Sequence, residues 1–168
     1  MILCDFSSVM HRMIARAAKE VQPQPDGKLK TEDFIFFAKH LIIQELHNIH
    51  QEHKAKFGNL VLCLDNAQGG YWRKDIYPRY KEARKALREE SNIIWGEVNS
   101  YINNMLEILT NYLPWKVISV PRAEADDIML VLARHYHTSE PILIYSPDKD
   151  MIQAQHNSFN VYQYSSII

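Results

Sequence analysis

Seven carboxylates stand at four places in the sequence, each beside a short apolar run that favours a β-strand. They are Asp5, Asp65, Glu124, Asp126, Asp127, Asp148 and Asp150. If the runs are parallel strands, their carboxyl ends meet at one edge of a sheet, and the carboxylates converge there. Like charges that crowd together raise one another's pKa or attract cations. Because hard cations such as Mg²⁺ and Mn²⁺ prefer oxygen ligands, the pattern predicts a divalent-cation site.

Each acid also has an ordinary structural interpretation. Asp5 suits a turn or a helix cap, Glu124 to Asp127 suit the positive end of a helix, and Asp148 suits an N-cap. Their joint placement at four strand ends favours function, because crowding acids by accident would cost stability. Two cations about 3.5 to 4 Å apart can stabilise both the attacking and the leaving oxygen of a phosphodiester. Phosphodiester hydrolysis is therefore the chemistry that the acids predict.

A basic segment follows Asp65 and is the second signal. Residues 73–88 contain seven Lys or Arg against two acids, and aromatic residues are interspersed with them. The ordinary interpretation is a solvated helical face, with Trp72 in the core. Cations mixed with aromatic rings also suit a nucleic-acid strand, since cations bind phosphates and rings stack on bases. Arg73, Lys81 and Arg84 are the best candidates to offset charge at a scissile phosphate.

Apolar runs and helical periodicity alternate along the chain. The sequence predicts strands at 2–5, 60–65, 117–120, 142–146 and 161–164. It predicts helices from Ser7 or Ser8, either of which could be the cap, to about 20, from 31 to about 58, around 98–112, from 124 to about 136, and at 148–155. Strands that alternate with helices indicate βαβ units, so we expect an α/β fold with a mainly parallel sheet covered on both faces.

Composition narrows the class of protein. With 168 residues, 46% of them hydrophobic, and a net charge of −1, the chain suits one compact domain. There is no leader and no apolar run near the ~20 residues that span a bilayer, which predicts a soluble, cytoplasmic protein with no membrane partner. The sequence has neither a phosphate-cradling P-loop nor a serine in a Gly-rich elbow, which argues against nucleotide hydrolysis of that type and against a Ser/His/Asp triad.

The motifs, taken in order, resemble those of the flap endonuclease/5′-nuclease family. The matching runs are 2–7 (ILCDFS), 61–67 (VLCLDNA), 70–74 (GYWRK), Tyr80-Lys81 with Arg84, 124–127 (EADD) and 146–150 (SPDKD). The resemblance implies a PIN-like three-layer fold with two Mg²⁺ ions, which Mn²⁺ can replace, held directly or indirectly by the seven carboxylates. It also implies a basic helical arch inserted at about 66–95, with Lys81 and Arg84 at its base and Arg73 as a further phosphate contact.

The resemblance further implies a function in DNA replication, in a phage or a bacterium. Family members are metal-dependent 5′ to 3′ exonucleases and flap endonucleases that remove primers, acting on 5′ flaps, nicked or gapped duplexes and RNA–DNA hybrids. They continue into a helix-three-turn-helix region, so we expect 1–168 to be the catalytic domain alone. The chain would then be a catalytic fragment, a shortened natural protein, or a protein whose missing half a second polypeptide supplies. That polypeptide and a single-strand-binding protein are the partners that the resemblance suggests. The alternatives are a smaller PIN-type ribonuclease and a nucleic-acid-binding module without catalysis.

Overall fold

Strands and helices alternate through the protein, as the sequence predicts. The computed structural model describes residues 1–21, 31–82, 95–155 and 160–164. In chain order the elements are β1 (Ile2–Asp5), α1 (Phe6–Glu20), α2 (Thr31–Phe57), β2 (Leu60–Leu64), α3 (Arg73–Ile76), α4 (Trp95–Tyr112), β3 (Lys116–Ser119), α5 (Ala125–Tyr136), β4 (Ile142–Tyr145), a 3₁₀ helix (Lys149–Gln155) and β5 (Val161–Tyr164).

The five strands form one sheet in the order β3-β2-β1-β4-β5. All four neighbouring pairs are parallel. The chain builds outward from β1 through β2 to β3, then crosses back over the sheet to begin the other half at β4. The order therefore reverses between β1 and β4, and in such sheets ligands bind beyond the carboxyl ends of the strands at this point.

Helices cover both faces of the sheet, which confirms the predicted three-layer α/β fold. Alternate side chains of a strand point to opposite faces, so Ile2 and Cys4 pack into one core and Leu3 into the other. The first core also holds apolar residues of α1, α2 and α4. The second holds those of α5 and the 3₁₀ helix, including the fully buried Met129 and Met151. Burial on both faces explains why the inner strands β1, β2 and β4 are almost continuously apolar, whereas the edge strands β3 and β5 include polar residues.

Helix α1 begins at Phe6, directly after the end of β1, and its cap differs from the prediction. Asp5 is the N-cap, and its carboxylate accepts a hydrogen bond of 3.0 Å from the backbone N–H of Ser8. Ser7 and Ser8 lie inside the helix, so the predicted serine cap is wrong. A carboxylate satisfies a free N–H at the positive helix end at least as well as a hydroxyl does.

Three predicted strands differ from the structure by one residue in their bounds. The sheet pairing stops at Leu64 rather than Asp65 and at Tyr145 rather than Ser146, and β3 covers Lys116–Ser119 rather than 117–120. The side chains that follow β2 and β4 bond to other segments: Asp65 accepts from Ala125, and Ser146 donates to Asp5. The described part of the predicted arch is 66–82, while residues 83–94, Arg84 among them, lie outside the described ranges. None of the described helices combines the length and the apolar character that crossing a membrane requires.

Candidate metal and phosphate site

Three carboxylates come together at the start of α5. Oxygens of Glu124, Asp126 and Asp127 lie within 4.8 Å of one another. Glu124 is the N-cap residue and is buried, whereas Asp126 and Asp127 in the first turn are half-buried. The backbone N–H of Glu124 donates to Asp127 at 3.0 Å. The helix N-terminus thus stabilises the negative charges and fixes their positions, which makes this cluster, the acid triad, a prearranged set of oxygen ligands.

Arg73, at the beginning of α3, lies across the acid triad. Its guanidinium donates to Glu124 at 2.6 Å, to the two oxygens of Asp127 at 2.8 and 2.9 Å, and to Asp126 at 3.4 Å. The side chain is only 23% exposed, so water screens these contacts partially. Arg73 therefore supplies a fixed positive charge to all three carboxylates, and part of its contact is the forked pairing that favours arginine over lysine.

Lys81 supplies a second positive charge, and it reaches Glu124 alone. Its ammonium pairs with one oxygen of Glu124, while the Tyr80 hydroxyl donates to the other at 2.8 Å. The backbone of Lys81 is left-handed, with φ of 59°, a conformation that residues with a Cβ rarely adopt. The buried Glu124 carboxylate is thus surrounded by donors on the side that faces the basic segment, as a buried charge requires.

Asp65 and Asp5 lie beside the acid triad, at the ends of neighbouring strands. Asp65 accepts a hydrogen bond of 2.8 Å from the backbone N–H of Ala125, which fixes the start of α5 against the end of β2. Asp5 accepts a hydrogen bond of 3.3 Å from Ser146. Burial, together with the charges of Asp65 and Asp126, raises the pKa of Asp5 to about 6, against the lowering effect of its hydrogen bonds from Ser8 and Ser146. The acids of three chain segments therefore share one electrostatic environment.

Asp148 and Asp150 lie on the opposite side of Asp5, after β4. The N–H of Asp148 donates to the Ser146 hydroxyl at 3.2 Å. The carboxylate of Asp148 in turn accepts a hydrogen bond of 2.9 Å from the N–H of Asp150. Both side chains are exposed. Neither belongs to the acid triad, which is the one group of three potential metal-binding residues among the described parts of the chain. The structure thus brings five of the seven predicted acids into one neighbourhood and sets these two at its rim.

Hydrogen bonding separates the pKa values of the two aspartates in the triad. Burial raises the pKa of Asp126; the Arg73 charge opposes this rise, and the charges of Asp127 and Glu124 add to it. Burial also acts to raise the pKa of Asp127, but hydrogen bonds from Arg73, the Glu124 backbone and Trp72 lower it overall. Asp127 is therefore held as the carboxylate, which is the protonation state that a cation ligand needs.

Two aromatic residues, which the sequence indicated only as parts of motifs, bond directly to the acids. Trp72 is 41% exposed rather than in the core, and its indole N–H donates to Asp127 at 2.9 Å. Burial, together with the hydrogen bond to Glu124, raises the pKa of Tyr80 to about 12, so its hydroxyl remains a donor at neutral pH. Both stand within the basic segment. Their polar ends are the signal that could have identified them, since a partly buried Trp or Tyr needs an acceptor.

The donor set fits a hard divalent cation. Every side chain in the acid triad offers carboxylate oxygen, the ligand type that Mg²⁺, Mn²⁺ and Ca²⁺ prefer. The two cysteines, which would favour a softer metal, are buried inside the strands, and burial raises the pKa of Cys63 to about 12. Three carboxylates face two positive side chains, so the triad keeps an excess of one negative charge by this count.

The comparisons with known proteins identify relatives of this chain. The model of the family described as "5′-3′ exonuclease, N-terminal resolvase-like domain" matches residues 1–168. Ribonuclease H of Enterobacteria phage T4 is 35% identical over 129 residues, which are 76% of this chain and 42% of that protein. A 5′-3′ exonuclease of Mycoplasmopsis pulmonis is 26% identical over 120 residues, covering 71% of this chain and 35% of that protein. The chain thus spans less than half the length of these curated relatives.

A solved structure shows the same fold. The 5′-exonuclease of phage T5 with bound zinc superposes with a TM-score of 0.71 at 12% identity, covering 99% of this chain and 55% of that one. At this identity the likeness establishes the PIN-like architecture. Since the family model matches from the first residue to the last, the chain belongs to the 5′-3′ exonuclease family, in which it corresponds to the N-terminal resolvase-like domain.

Proposed function

We propose that this chain is the catalytic part of a divalent-metal-dependent nuclease that hydrolyses phosphodiesters near the 5′ ends of nucleic acids. The observation that carries the proposal is the acid triad beside the carboxyl end of β2, with Arg73 and Lys81 bonded to its carboxylates. Cation ligands and phosphate-binding cations in direct contact are what phosphodiester hydrolysis needs. Family membership and the names of the relatives support the same reaction.

The carboxylates would hold the metal. In this proposal Glu124, Asp126 and Asp127 bind a first ion together with Asp5 and Asp65, while Asp148 and Asp150, across Ser146 from Asp5, serve a second ion directly or through water. Bound ions would polarise the phosphate and stabilise the attacking and leaving oxygens. Mg²⁺ is the proposed physiological ion and Mn²⁺ its substitute, because both take oxygen ligands and keep several waters. The zinc in the T5 structure is consistent with a divalent site in this fold.

The basic side chains would bind the reacting phosphate. Arg73 and Lys81 already face the carboxylates, so a phosphate placed between them and the metal would meet both charges. As water attacks phosphorus and the bond to the leaving oxygen breaks, negative charge grows on that oxygen, and fixed cations beside the phosphate would stabilise it. We assign a similar role to Arg84, which belongs to the same basic segment.

We propose 5′ flaps, nicked or gapped duplexes and RNA–DNA hybrids as substrates, with primer removal during replication as the process. A T5 flap endonuclease that aligns with this chain with a TM-score of 0.65 was solved in complex with DNA and metal ions. Aromatic residues next to the cations, such as Tyr71 and Trp72, suit stacking with bases of a single strand. A polypeptide that grips the duplex, and a single-strand-binding protein, are the partners that would extend binding beyond this domain.

The test is metal-dependent cleavage of a 5′-labelled flap by the purified chain. Wild-type protein should cut in Mg²⁺ or Mn²⁺ and stop when the metal is chelated. Asp127→Asn should reduce the rate by at least about 100-fold, because it removes a charged ligand while preserving the side-chain volume. Glu107→Gln is the matched control, since it removes an exposed carboxylate on α4 and should leave the rate unchanged.

The outcomes separate the competing functions. Tight, salt-sensitive binding to the flap with no metal-stimulated cleavage would contradict catalysis and favour a binding module. Preference for an unstructured RNA over the flap would indicate a PIN-type ribonuclease. An Asp127→Asn variant that cuts as fast as wild type would refute the assignment of the acid triad.

A further inference from the structure

The loop between β3 and α5 runs beside the segment that follows β2, and backbone bonds join the two. The N–H of Asn66 donates to the carbonyl of Ala123 at 2.9 Å, and the N–H of Trp72 donates to the carbonyl of Arg122 at 3.0 Å. Trp72 directly precedes Arg73, and Arg122 stands two residues before Glu124. These bonds hold the residues just before the acid triad against the residues just before Arg73.

The Arg122 side chain adds contacts on both sides of Arg73. Its Nε donates to the carbonyl of Gly70 at 3.2 Å, and its terminal nitrogen pairs with Asp75 inside α3. The stem of Arg122 passes close to Gly69, since a Cβ built there would lie 3.7 Å from the arginine Cγ. One side chain thus holds the chain before Arg73 and the helix turn that contains it.

Arg122 makes these contacts from an unfavourable backbone conformation. Its φ is 68°, in the left-handed region, where a Cβ crowds the backbone and glycine is the usual residue. A residue with a Cβ persists there when its surroundings over-determine it, and such residues concentrate at functional sites. Glycine would adopt this backbone conformation with less strain. Any advantage of arginine here therefore comes from the contacts of its side chain.

We propose that Arg122 is a positioning residue that fixes Trp72 and Arg73 over the acid triad. It does not touch the carboxylates of the triad. Instead it determines the place from which Arg73 reaches them, by binding Gly70 on one side and Asp75 on the other. Its effect on cleavage rests on the proposed function, whereas its effect on local structure does not.

Arg122→Gly separates the side chain from the turn, because glycine adopts a φ of 68° without strain and keeps the carbonyl that accepts from Trp72. Hydrogen exchange by mass spectrometry should show about fivefold faster exchange in peptides covering 72–77, the scale expected for losing modest hydrogen bonds. Exchange in the strands and the melting temperature should stay unchanged. Where cleavage is measurable, kcat should fall by a similar factor, and Arg122→Lys should recover part of the loss.

Asp75→Ala provides a second route that leaves the Arg122 backbone intact. It should raise exchange in the same peptides by less, because the bond to Gly70 remains, and adding it to Arg122→Gly should change nothing further. Arg16→Ala is the matched control: it removes another exposed arginine–carboxylate pair, with Glu20 near the far end of α1, and should not alter peptides 72–77.

Unchanged exchange of peptides 72–77 in both Arg122→Gly and Asp75→Ala would overturn the proposal. Effects of the two changes that simply add would also contradict it, since they would show that the residues act separately. Because exchange is measured without substrate, a failure of the nuclease assay leaves this result interpretable.

Discussion

Replacing Arg73 by glutamine should strengthen metal binding and weaken cleavage at the same time. In the structure Arg73 donates to all three carboxylates of the acid triad, at distances from 2.6 to 3.4 Å. A divalent cation that binds these oxygens must either displace the guanidinium or accept its repulsion. Arg73 is therefore a competitor of the metal in the free protein, although the proposed reaction uses it to bind phosphate.

Coulomb's law gives the size of the effect. Two unit charges 4 Å apart interact by about 1 kcal/mol in water and by about 4 kcal/mol at the effective dielectric of a protein surface. Arg73 is 23% exposed and so lies between these limits. In the wild-type protein the ion and the guanidinium can move apart, which reduces their repulsion. If removing Arg73 then stabilises the bound ion by about 1.4 to 2.8 kcal/mol, the variant binds the metal roughly 10- to 100-fold more tightly. Loss of Arg73 from the scissile phosphate should lower the cleavage rate by a factor of about 100.

The assay is a Mn²⁺ titration of the protein without nucleic acid, in which electron paramagnetic resonance counts the free ion at constant ionic strength. Arg79→Gln is the matched control, because it removes an exposed charge from the same segment and should tighten Mn²⁺ binding by less than about threefold at physiological salt. Equal effects of the two variants would indicate a general field rather than competition. Unchanged or weaker binding to Arg73→Gln would refute the argument and show that Arg73 organises the carboxylates for the metal.

Two further predictions test the surroundings of the site and the core that supports it. Trp72→Phe should strongly reduce the luminescence of bound Tb³⁺ excited through tryptophan, because the Trp72 indole N–H lies 2.9 Å from Asp127. Tb³⁺ should still displace Mn²⁺ from the variant. Undiminished emission would place the ion elsewhere. Met129→Ala should lower the free energy of unfolding by about 2 to 5 kcal/mol in urea denaturation, since Met129 is fully buried between α5 and the sheet. Val131→Ala, on the exposed side of α5, should cost less than about 0.5 kcal/mol, and equal losses would contradict this description of the core.

The sheet could be predicted from the sequence because its signal is local. Runs such as Ile142–Tyr145 are continuously apolar and short, which favours a strand buried on both faces. Strand order is not local: β4 pairs with β1 rather than with β3 because the connection through α5 carries the chain back over β2 and β1. Alternation of strands and helices narrows the possible orders to a few, and tertiary packing selects among them.

The convergence of acids from separate strands was also predictable for five of the seven, but their individual contacts were not. Asp65 accepts from the N–H of Ala125, 60 residues later in the chain, and nothing in the residues around either one signals that bond. Asp148 and Asp150 satisfied the same sequence criterion as Asp127, yet they lie exposed at the start of the 3₁₀ helix that follows β4. The criterion identifies which strand a residue follows, whereas the turn after the strand decides where its side chain lies.

The ion pairs of Arg73 and Lys81 with the carboxylates have the same electrostatic cause as the predicted metal site. Three carboxylates at one helix end require positive charge, and the free protein meets this need with its own side chains. Once a metal has bound to the carboxylates, the proposed reaction would need the same two side chains at the phosphate. A metal that takes over the carboxylates would release Arg73 and Lys81 beside the substrate, so assembly of the metal site and of the phosphate site would be one event.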